Sequence, residues 1–277
     1  ASTAAGSHKT ARAIAESDAV LGYESSHTRP PDGLAVGFVD YPFRDPTATF
    51  EEHLAAVEHE EPAIAVAPDL DDTRDPETVY AQADRLAEHA DAVVVTTKRE
   101  DTHPEDIPAR FRVGVPLQGD TGGEQATLTG DGDDEEGGFA GRTPWRVADY
   151  RDAGPVHLLG GSPNVHREVA KYLDIASVDT STPERVAKYG DYWTPDGWTN
   201  AGSGADLYDT IRASLDYMVA WWDERAGLDA ADPDPPRTIS QGVTDQEPTL
   251  DDPTDALGYG APPEPTADTA DLWSEDD

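Results

Sequence analysis

The chain has 277 residues, and 57 acidic against 20 basic side chains give it a formal net charge of -37 at pH 7. It contains no cysteine, which excludes disulfides, thiolate-bound metals and a cysteine nucleophile. No apolar run approaches the ~20 residues of a membrane-spanning helix, and the N-terminus lacks the basic-then-apolar pattern of a signal peptide, so we expect a cytoplasmic protein without a membrane partner.

The acidic composition indicates adaptation to high salt rather than general disorder. Hydrophobic residues form 36% of the chain and occur in compact runs, such as Leu34 to Val39 and Val93 to Val95, that are able to form a core. Carboxylates spread over nearly every segment keep a protein hydrated where salt screens charge. We therefore expect a high-salt cytoplasm. At molar salt the Debye length is about 3 Å, so the net charge does not exclude a nucleic acid as a partner.

Short apolar runs alternate with amphipathic helical patterns, which is typical of βαβ units. The apolar runs are nearly continuous, as expected for parallel strands that are covered on both faces. Strands are predicted at Ala19–Tyr23, Leu34–Val39, Ala63–Ala67, Ala92–Thr96, Phe111–Pro116, Val156–Leu159 and Ile175–Val178. Helices are predicted at Phe50–His59, Asp75–His89, Ser162–Leu173, Thr182–Tyr189 and Ala205–Arg225.

An eighth strand near Tyr189–Trp193 completes the predicted fold, an α/β TIM-type (β/α)8 barrel, to which a doubly wound open sheet is the alternative. The barrel domain is predicted over residues 1–228. Residues 119–141 are rich in Gly, Asp and Glu and predict a flexible acidic loop, either a surface insertion or a lid or cation-binding loop. Residues 229–277 are rich in Pro and acids without apolar periodicity, which predicts a disordered acidic tail.

Acidic side chains stand where three of the predicted strands end. Asp40, Asp69 and Asp179 each follow an apolar run, and both candidate folds place functional groups beyond the carboxyl ends of the strands. In a chain with 57 acids some fall there by chance or cap a helix. Carboxylates gathered at one end of a barrel are able to act as nucleophile, general base or acceptor for a nucleobase.

Further candidate residues lie at neighbouring strand ends, namely Lys98, Gln118–Gly119 and Gly160–Gly161. His157 lies inside a strand and is interpreted as a core histidine rather than a catalyst. No pair of histidines has the spacing of a zinc site, and the fingerprints for dinucleotides and nucleoside triphosphates are missing from the sequence. We therefore predict neither a metal nor a cofactor.

Three segments carry a resemblance to a known family. They are Val156–Pro163 (VHLLGGSP), Ile175–Thr180 (IASVDT) and Ala187–Trp193 (AKYGDYW). They resemble a group of phage and archaeal-virus proteins that is similar to tRNA-guanine transglycosylases and to viral relatives that place 7-deazaguanines in DNA. The similarity extends from about Ala19 to Trp198, and Gly37–Tyr41, Val66–Asp69 and Val113–Gly119 support it mainly through their order.

The resemblance implies a (β/α)8 barrel and a pentosyltransferase that exchanges guanine for a 7-deazaguanine such as 7-cyano-7-deazaguanine. Asp179 resembles the nucleophile that attacks C1′ of the nucleoside, and Asp40 resembles the general acid/base. Asp69 resembles the aspartate that recognises the Watson–Crick edge of the purine. Gln118–Gly119 resembles the base-recognition turn of the family, and Gly160–Gly161 is implied to supply backbone contacts to the base.

One departure from the family bears on the substrate. The tRNA enzymes hold a structural zinc with three cysteines and a histidine, which this chain lacks, so the resemblance favours DNA over tRNA. Arg142, Arg146 and Arg151 are the local candidates for contact with a polynucleotide. Two other functions stay open: a hydrolase or nucleosidase that uses the same acids with water as acceptor, and a non-catalytic binding or virion protein.

Overall fold

Eight parallel strands form one sheet in the order in which they occur along the chain. They are β1 (Ser2–Thr3), β2 (Leu21–Glu24), β3 (Phe38–Asp40), β4 (Ile64–Val66), β5 (Ala92–Val95), β6 (Arg112–Pro116), β7 (Val156–Leu159) and β8 (Ile175–Val178). The structure is a computed structural model that describes residues 2–3, 8–43, 45–117, 143–202 and 204–228. The predicted acidic loop (residues 119–141) and the predicted tail (residues 229–277) lie outside the described residues.

The sheet curls into half of a barrel. The seven longer strands form this curled surface, which confirms the α/β class and is compatible with a TIM-like barrel. Within the described residues the ladders run from β1 to β8, and none joins β8 back to β1. A doubly wound sheet reverses its strand order at a switch point, and this sheet has no such reversal.

A contact across the concave face shows how strong the curl is. The rings of Phe38 on β3 and His157 on β7 stack with their centroids 5.5 Å apart. In a flat sheet these strands, four positions apart, would be separated by roughly 19 Å. Phe38 also belongs to a small cluster with Val66 and Val94. Because alternate residues of a strand share a face, Asp40 lies on this concave face as well.

The prediction that a strand near Tyr189–Trp193 completes the barrel is wrong. Residues 191–194 form a strand, β9 (Asp191–Thr194), but it pairs antiparallel with β10 (Gly197–Asn200) in a hairpin apart from the main sheet. The two residues between the strands are Pro195 and Asp196, and residues of these types favour a tight turn. The backbone N–H of Trp193 donates to the Ser214 hydroxyl on the last helix, 3.0 Å away, so it is not available to a sheet neighbour.

Helices follow most of the strands and cover the outer face of the sheet. They are α1 (His8–Ala15), α2 (Phe50–Glu60), α3 (Pro76–Leu86), α4 (Pro163–Val169), α5 (Thr182–Ala187) and α6 (Leu207–Arg225), with 3-10 turns at Pro104–Asp106 and Val147–Tyr150. Asp75 caps α3 ahead of a proline in its first turn, as the sequence predicts, while α1 has no predicted counterpart. Within the described residues no helix is long and apolar enough to cross a membrane.

Candidate functional site

Three acids meet at the carboxyl end of the curled sheet. Asp40 is the last residue of β3, Asp69 follows β4, and Asp179 directly follows β8. Asp69 and Asp179 are each 5% exposed. The charges of Asp179 and Asp69 both act on the Asp40 carboxyl, so both side chains lie within electrostatic reach of Asp40 although their strands are distant in sequence.

The Asp40 carboxyl group is in a setting that favours its neutral form. Burial raises the pKa of Asp40 well above its usual range, and the neighbouring charges of Asp179, Glu24 and Asp69 raise it further. The backbone N–H of Tyr41 opposes this shift. In the described part of the chain the buried Oδ1 atom has no hydrogen-bond partner. A carboxyl group with a raised pKa holds its proton to higher pH than an exposed aspartate does and is able to donate it.

Asp179 differs from Asp40 because two nitrogen atoms lie beside one of its oxygens. The Gly160 backbone N–H donates to Oδ1 at 3.0 Å. The Nε2 atom of His157 lies 3.2 Å from the same oxygen. These contacts hold the Asp179 carboxyl group in one orientation, whereas Asp40 is equipped as an acid.

The contact between His157 and Asp179 continues into a longer chain of polar side chains. The Nδ1 atom of His157 lies 2.7 Å from the Ser177 hydroxyl. Arg112 Nη1 donates to that hydroxyl, also at 2.7 Å. His157 is fully buried, as predicted for a core histidine, but its hydrogen bonds join Arg112 on β6 to Asp179 beyond β8. Sequence reasoning missed this connection.

A β-bulge in β8 brings these residues opposite one another. Val156 pairs with Ile175, whereas the next residue, His157, pairs with Ser177, so Ala176 is the extra residue. Bulges often re-aim side chains beside active sites. Without the extra residue, a shift of register by one would turn the following side chains of β8 to the other face of the sheet. The bulge therefore determines that Ser177 and Asp179 both face His157.

The glycine pair after β7 shapes the turn that carries one of the donors to Asp179. Gly160 and Gly161 have φ angles of 69° and 84°, in the region that favours glycine. The Gly160 carbonyl oxygen accepts a hydrogen bond from His166 Nε2 at 2.6 Å. The Gly161 carbonyl accepts from the hydroxyls of Thr180 and Thr182. These hydrogen bonds engage the Gly160 N–H and both carbonyl groups of the pair inside the protein.

Asp69 is paired with a lysine. Lys98 forms an ion pair and a hydrogen bond with Asp69 Oδ2, and its ammonium group lies 5.2 Å from the centre of the Phe43 ring. Arg74 Nη1 donates to the backbone carbonyl of Asp69. A bridge between Leu70 and Thr97 extends the β4–β5 ladder and holds Asp69 and Lys98 in place. Burial raises the pKa of Asp69, and Lys98 lowers it again in part.

The remaining predicted site residues fall into two groups. Gln118, Gly119 and Arg142 lie outside the described residues. Leu117 is the last described residue before this gap, and its backbone N–H donates a hydrogen bond to the Leu159 carbonyl at 2.9 Å. Arg146 and Arg151 are described and exposed. Neither forms a described hydrogen bond or ion pair with the three acids.

A cavity of about 570 Å³ lies elsewhere, beside the starts of β2, β3 and β4 and against β8 and α6. None of the three acids lines it. In the described part of the chain no group of three or more acids and histidines is arranged to hold a metal ion.

Comparison with known proteins adds a family without a described activity. A family model described as a family of unknown function (DUF6610) matches residues 15–131 and 137–223. These segments contain all three acids and the residues that contact them. No curated protein matches the chain.

Proposed function

The chain belongs to the DUF6610 family of unknown function, and we propose that it is a pentosyltransferase that exchanges guanine in DNA for a 7-deazaguanine base. The observation that carries the proposal is the contrast between two neighbouring buried carboxyl groups. Asp40 is held as an acid by burial and surrounding negative charge, and Asp179 accepts two hydrogen bonds at one oxygen. Displacement of a base from a sugar requires both an acid and a nucleophile.

The chemistry divides into two displacements. In the first, the free oxygen of Asp179 attacks C1′ and the bond from C1′ to N9 of guanine breaks, while Asp40 gives its proton to the departing base. In the second, the incoming base loses its N9 proton to the Asp40 carboxylate and its nitrogen attacks C1′. The bond to Asp179 then breaks, and both carboxyl groups return to their starting states.

Asp69 supplies recognition of the base in this proposal. Guanine and 7-deazaguanine present the same two donors, N1–H and the 2-amino group, on the Watson–Crick edge. The Asp69 carboxylate accepts hydrogen bonds, and the ion pair with Lys98 favours the ionised form and partly offsets the effect of burial. To reach this site, a base within DNA has to leave the stack, as it does in other enzymes that act on bases. DNA is preferred over tRNA because the chain has no cysteine for the zinc subdomain of the tRNA enzymes.

The proposal is tested by base exchange at high salt. The full chain is incubated in molar KCl with DNA, tRNA or guanosine in separate reactions, each with 7-cyano-7-deazaguanine, and the nucleosides are analysed by mass spectrometry after digestion. We expect the modified deoxynucleoside to appear in DNA. Asp32→Asn is a matched control, because Asp32 is an exposed acid and its variant should keep full activity.

Other outcomes overturn the proposal in distinguishable ways. Release of guanine without incorporation of the new base would identify a hydrolase that uses the same acids. Incorporation into tRNA alone would contradict the choice of DNA. No reaction with any of the three substrates would contradict an enzymatic function and favour a binding protein.

A further inference from the structure

We infer that Arg112, Ser177 and His157 form a hydrogen-bond relay that positions the Asp179 carboxyl group and determines which of its two oxygens faces the substrate. The kinetic part of this inference rests on the proposed function. The arrangement itself does not, because it follows from the donors and acceptors along the relay.

The direction of the hydrogen bonds is fixed at the Asp179 end. The Gly160 backbone N–H is able only to donate, so Oδ1 of Asp179 acts as an acceptor. His157 Nε2 faces the same oxygen at 3.2 Å. A carboxylate oxygen has no proton to donate, so with Asp179 ionised the proton of this contact lies on Nε2, which donates it to Oδ1.

The other end of the relay leads to the same direction. The guanidinium of Arg112 has donors and no acceptor, so the Ser177 oxygen accepts from it. His157 is fully buried, and burial lowers its pKa, so the ring is neutral and its Nδ1 is an acceptor. Ser177 therefore donates its hydroxyl proton to Nδ1. The relay runs in one direction, from Arg112 through Ser177 and His157 to Asp179.

The same donors distinguish Asp179 from Asp40. Asp179 has the Gly160 N–H and His157 Nε2 beside one oxygen, and His157 is linked through Ser177 to Arg112. The buried Oδ1 of Asp40 has no partner in the described residues. Burial and the charges of Asp179, Glu24 and Asp69 raise the pKa of Asp40, so Asp40 is suited to carry a proton, whereas Asp179 is suited to be held in one orientation.

The relay also determines which oxygen of Asp179 reacts. Both donors approach Oδ1, and no described residue donates to Oδ2. Oδ2 is left with its lone pairs for attack on C1′. His157 and Ser177 are thus positioning residues, which act on the sugar only through Asp179.

The first test is spectroscopic and needs no substrate. Histidine side chains of the full-length protein are labelled with ¹⁵N, and the ring signals of His157 are assigned by their loss in His157→Gln. We expect a neutral ring with the proton on Nε2. A protonated ring, or a proton on Nδ1, would overturn the relay whatever the protein catalyses.

The second test separates positioning from simple structural support. Loss of the hydroxyl in Ser177→Ala should lower kcat for base exchange by about 10–100-fold, the usual effect of removing such a supporting partner, and leave KM for the base within about twofold. Ser177→Thr, which keeps a hydroxyl group, should restore most of kcat.

A buried serine away from the relay provides the control. Ser214 is fully buried on α6 and accepts from the Trp193 backbone, so Ser214→Ala removes a similar group without touching Asp179. It should lower thermal stability and leave kcat unchanged. Wild-type kinetics in Ser177→Ala, or no recovery in Ser177→Thr, would refute the positioning role. Absence of exchange in the wild-type protein would refute the proposed function instead, and the position of the proton on His157 would still decide the relay.

Discussion

Two buried acids at the same end of the sheet, Asp179 and Asp69, are held in different ways. Asp179 is held by two N–H groups that belong to fixed parts of the fold, the Gly160 backbone and the buried ring of His157. Asp69 is held by the ammonium group of Lys98, at the end of a flexible four-carbon stem. The two acids are equally buried, at 5% exposure each, so the difference lies in their partners.

The comparison indicates that burial alone does not define the role of an acid. Donors fixed by the backbone and by packing hold one oxygen in place and leave the other in a defined direction, which suits an attack on carbon. A lysine neutralises charge from a range of positions, which suits an acid that has to adapt to an incoming base. We therefore expect changes at Asp179 to affect the rate of the chemical step and changes at Asp69 to affect base binding.

The strongest test of the comparison is Asp179→Asn. The amide keeps the size of the side chain and an oxygen for the two donors, but it cannot form the glycosyl intermediate. We expect exchange activity to fall by about 10⁴-fold or more, as for the loss of other nucleophiles, with the fold intact by circular dichroism. The covalent adduct with DNA should disappear on denaturing gels. Full activity in this variant would show that the nucleophile is a different residue, with Asp40 the next candidate.

A smaller and different effect is expected from Asp69→Asn. The new amide group presents a donor to the donors of the purine edge, and a buried polar group left unpaired costs about 1–3 kcal/mol. KM for the base should therefore rise by about 10–100-fold, while the covalent adduct with DNA still forms. A loss of the adduct in this variant would contradict the separation of roles between the two acids.

Lys98→Met sharpens the same comparison through its pH dependence. Lys98 lowers the pKa of Asp69, which burial raises, so removal of the lysine leaves the pKa higher. A carboxyl group with a higher pKa is protonated over a wider range and becomes an acceptor only as pH rises. KM for the base should then decrease with rising pH, and this decrease should lie at higher pH in the variant than in the wild-type protein. Equal pH dependence in both proteins would remove Lys98 from the recognition site.

Much of the site's framework is predictable from the sequence, because parallel strands end on one side of a sheet. The bounds of β7 and β8 agree with those predicted, since each is a short apolar run between turn-forming residues. The acids at the strand ends therefore meet as their positions imply. The closed barrel is not among the described pairings, and the predicted eighth strand instead pairs across the turn at Pro195–Asp196.

The relay could not be predicted, because it depends on one extra residue in β8. A regular parallel register would pair His157 with Ala176, and the sequence carries no sign that the bulge shifts this pairing to Ser177. His157 also fits the pattern of an ordinary core residue. The spacing of Ser177 and Asp179 indicates that their side chains share a face, since residues two apart in a strand do so. It does not indicate that this face meets His157.

The rigidity of the Asp179 corner is tested by a pair of glycine variants. Gly161→Ala places a Cβ atom 3.1 Å from the Leu117 Cβ and 3.3 Å from His166 Nε2, at a φ of 84°. Gly154→Ala has a similar φ of 80° but meets nothing within 4 Å, so it measures the backbone strain alone, about 1 kcal/mol. We expect Gly161→Ala to lower the melting temperature more than Gly154→Ala and to reduce kcat. Equal losses would show that the turn adapts and that the donor from Gly160 is not rigidly placed.

The smallest predicted effect concerns Asp40, the acid without a partner for its buried oxygen, and it appears as a gain in stability. The pKa of Asp40 in the folded protein is raised above the unfolded value of about 3.9. The folded state thus binds this proton more tightly, and stability is lost as pH rises above about 4, where the unfolded chain ionises first. Asp40→Asn does not titrate and should escape this loss. At constant high salt we expect it to melt at the same temperature as the wild-type protein near pH 4 and at a higher temperature than the wild-type protein at pH 7. Asp84→Asn is the control, because the pKa of Asp84 is shifted in the opposite direction. Arg110 lowers the pKa of the exposed Asp84, so the variant should be no more stable than the wild-type protein at pH 7. A lower melting temperature for Asp40→Asn at pH 7 would show that the folded protein accommodates the ionised carboxylate, and Asp40 would then lose its assignment as the acid.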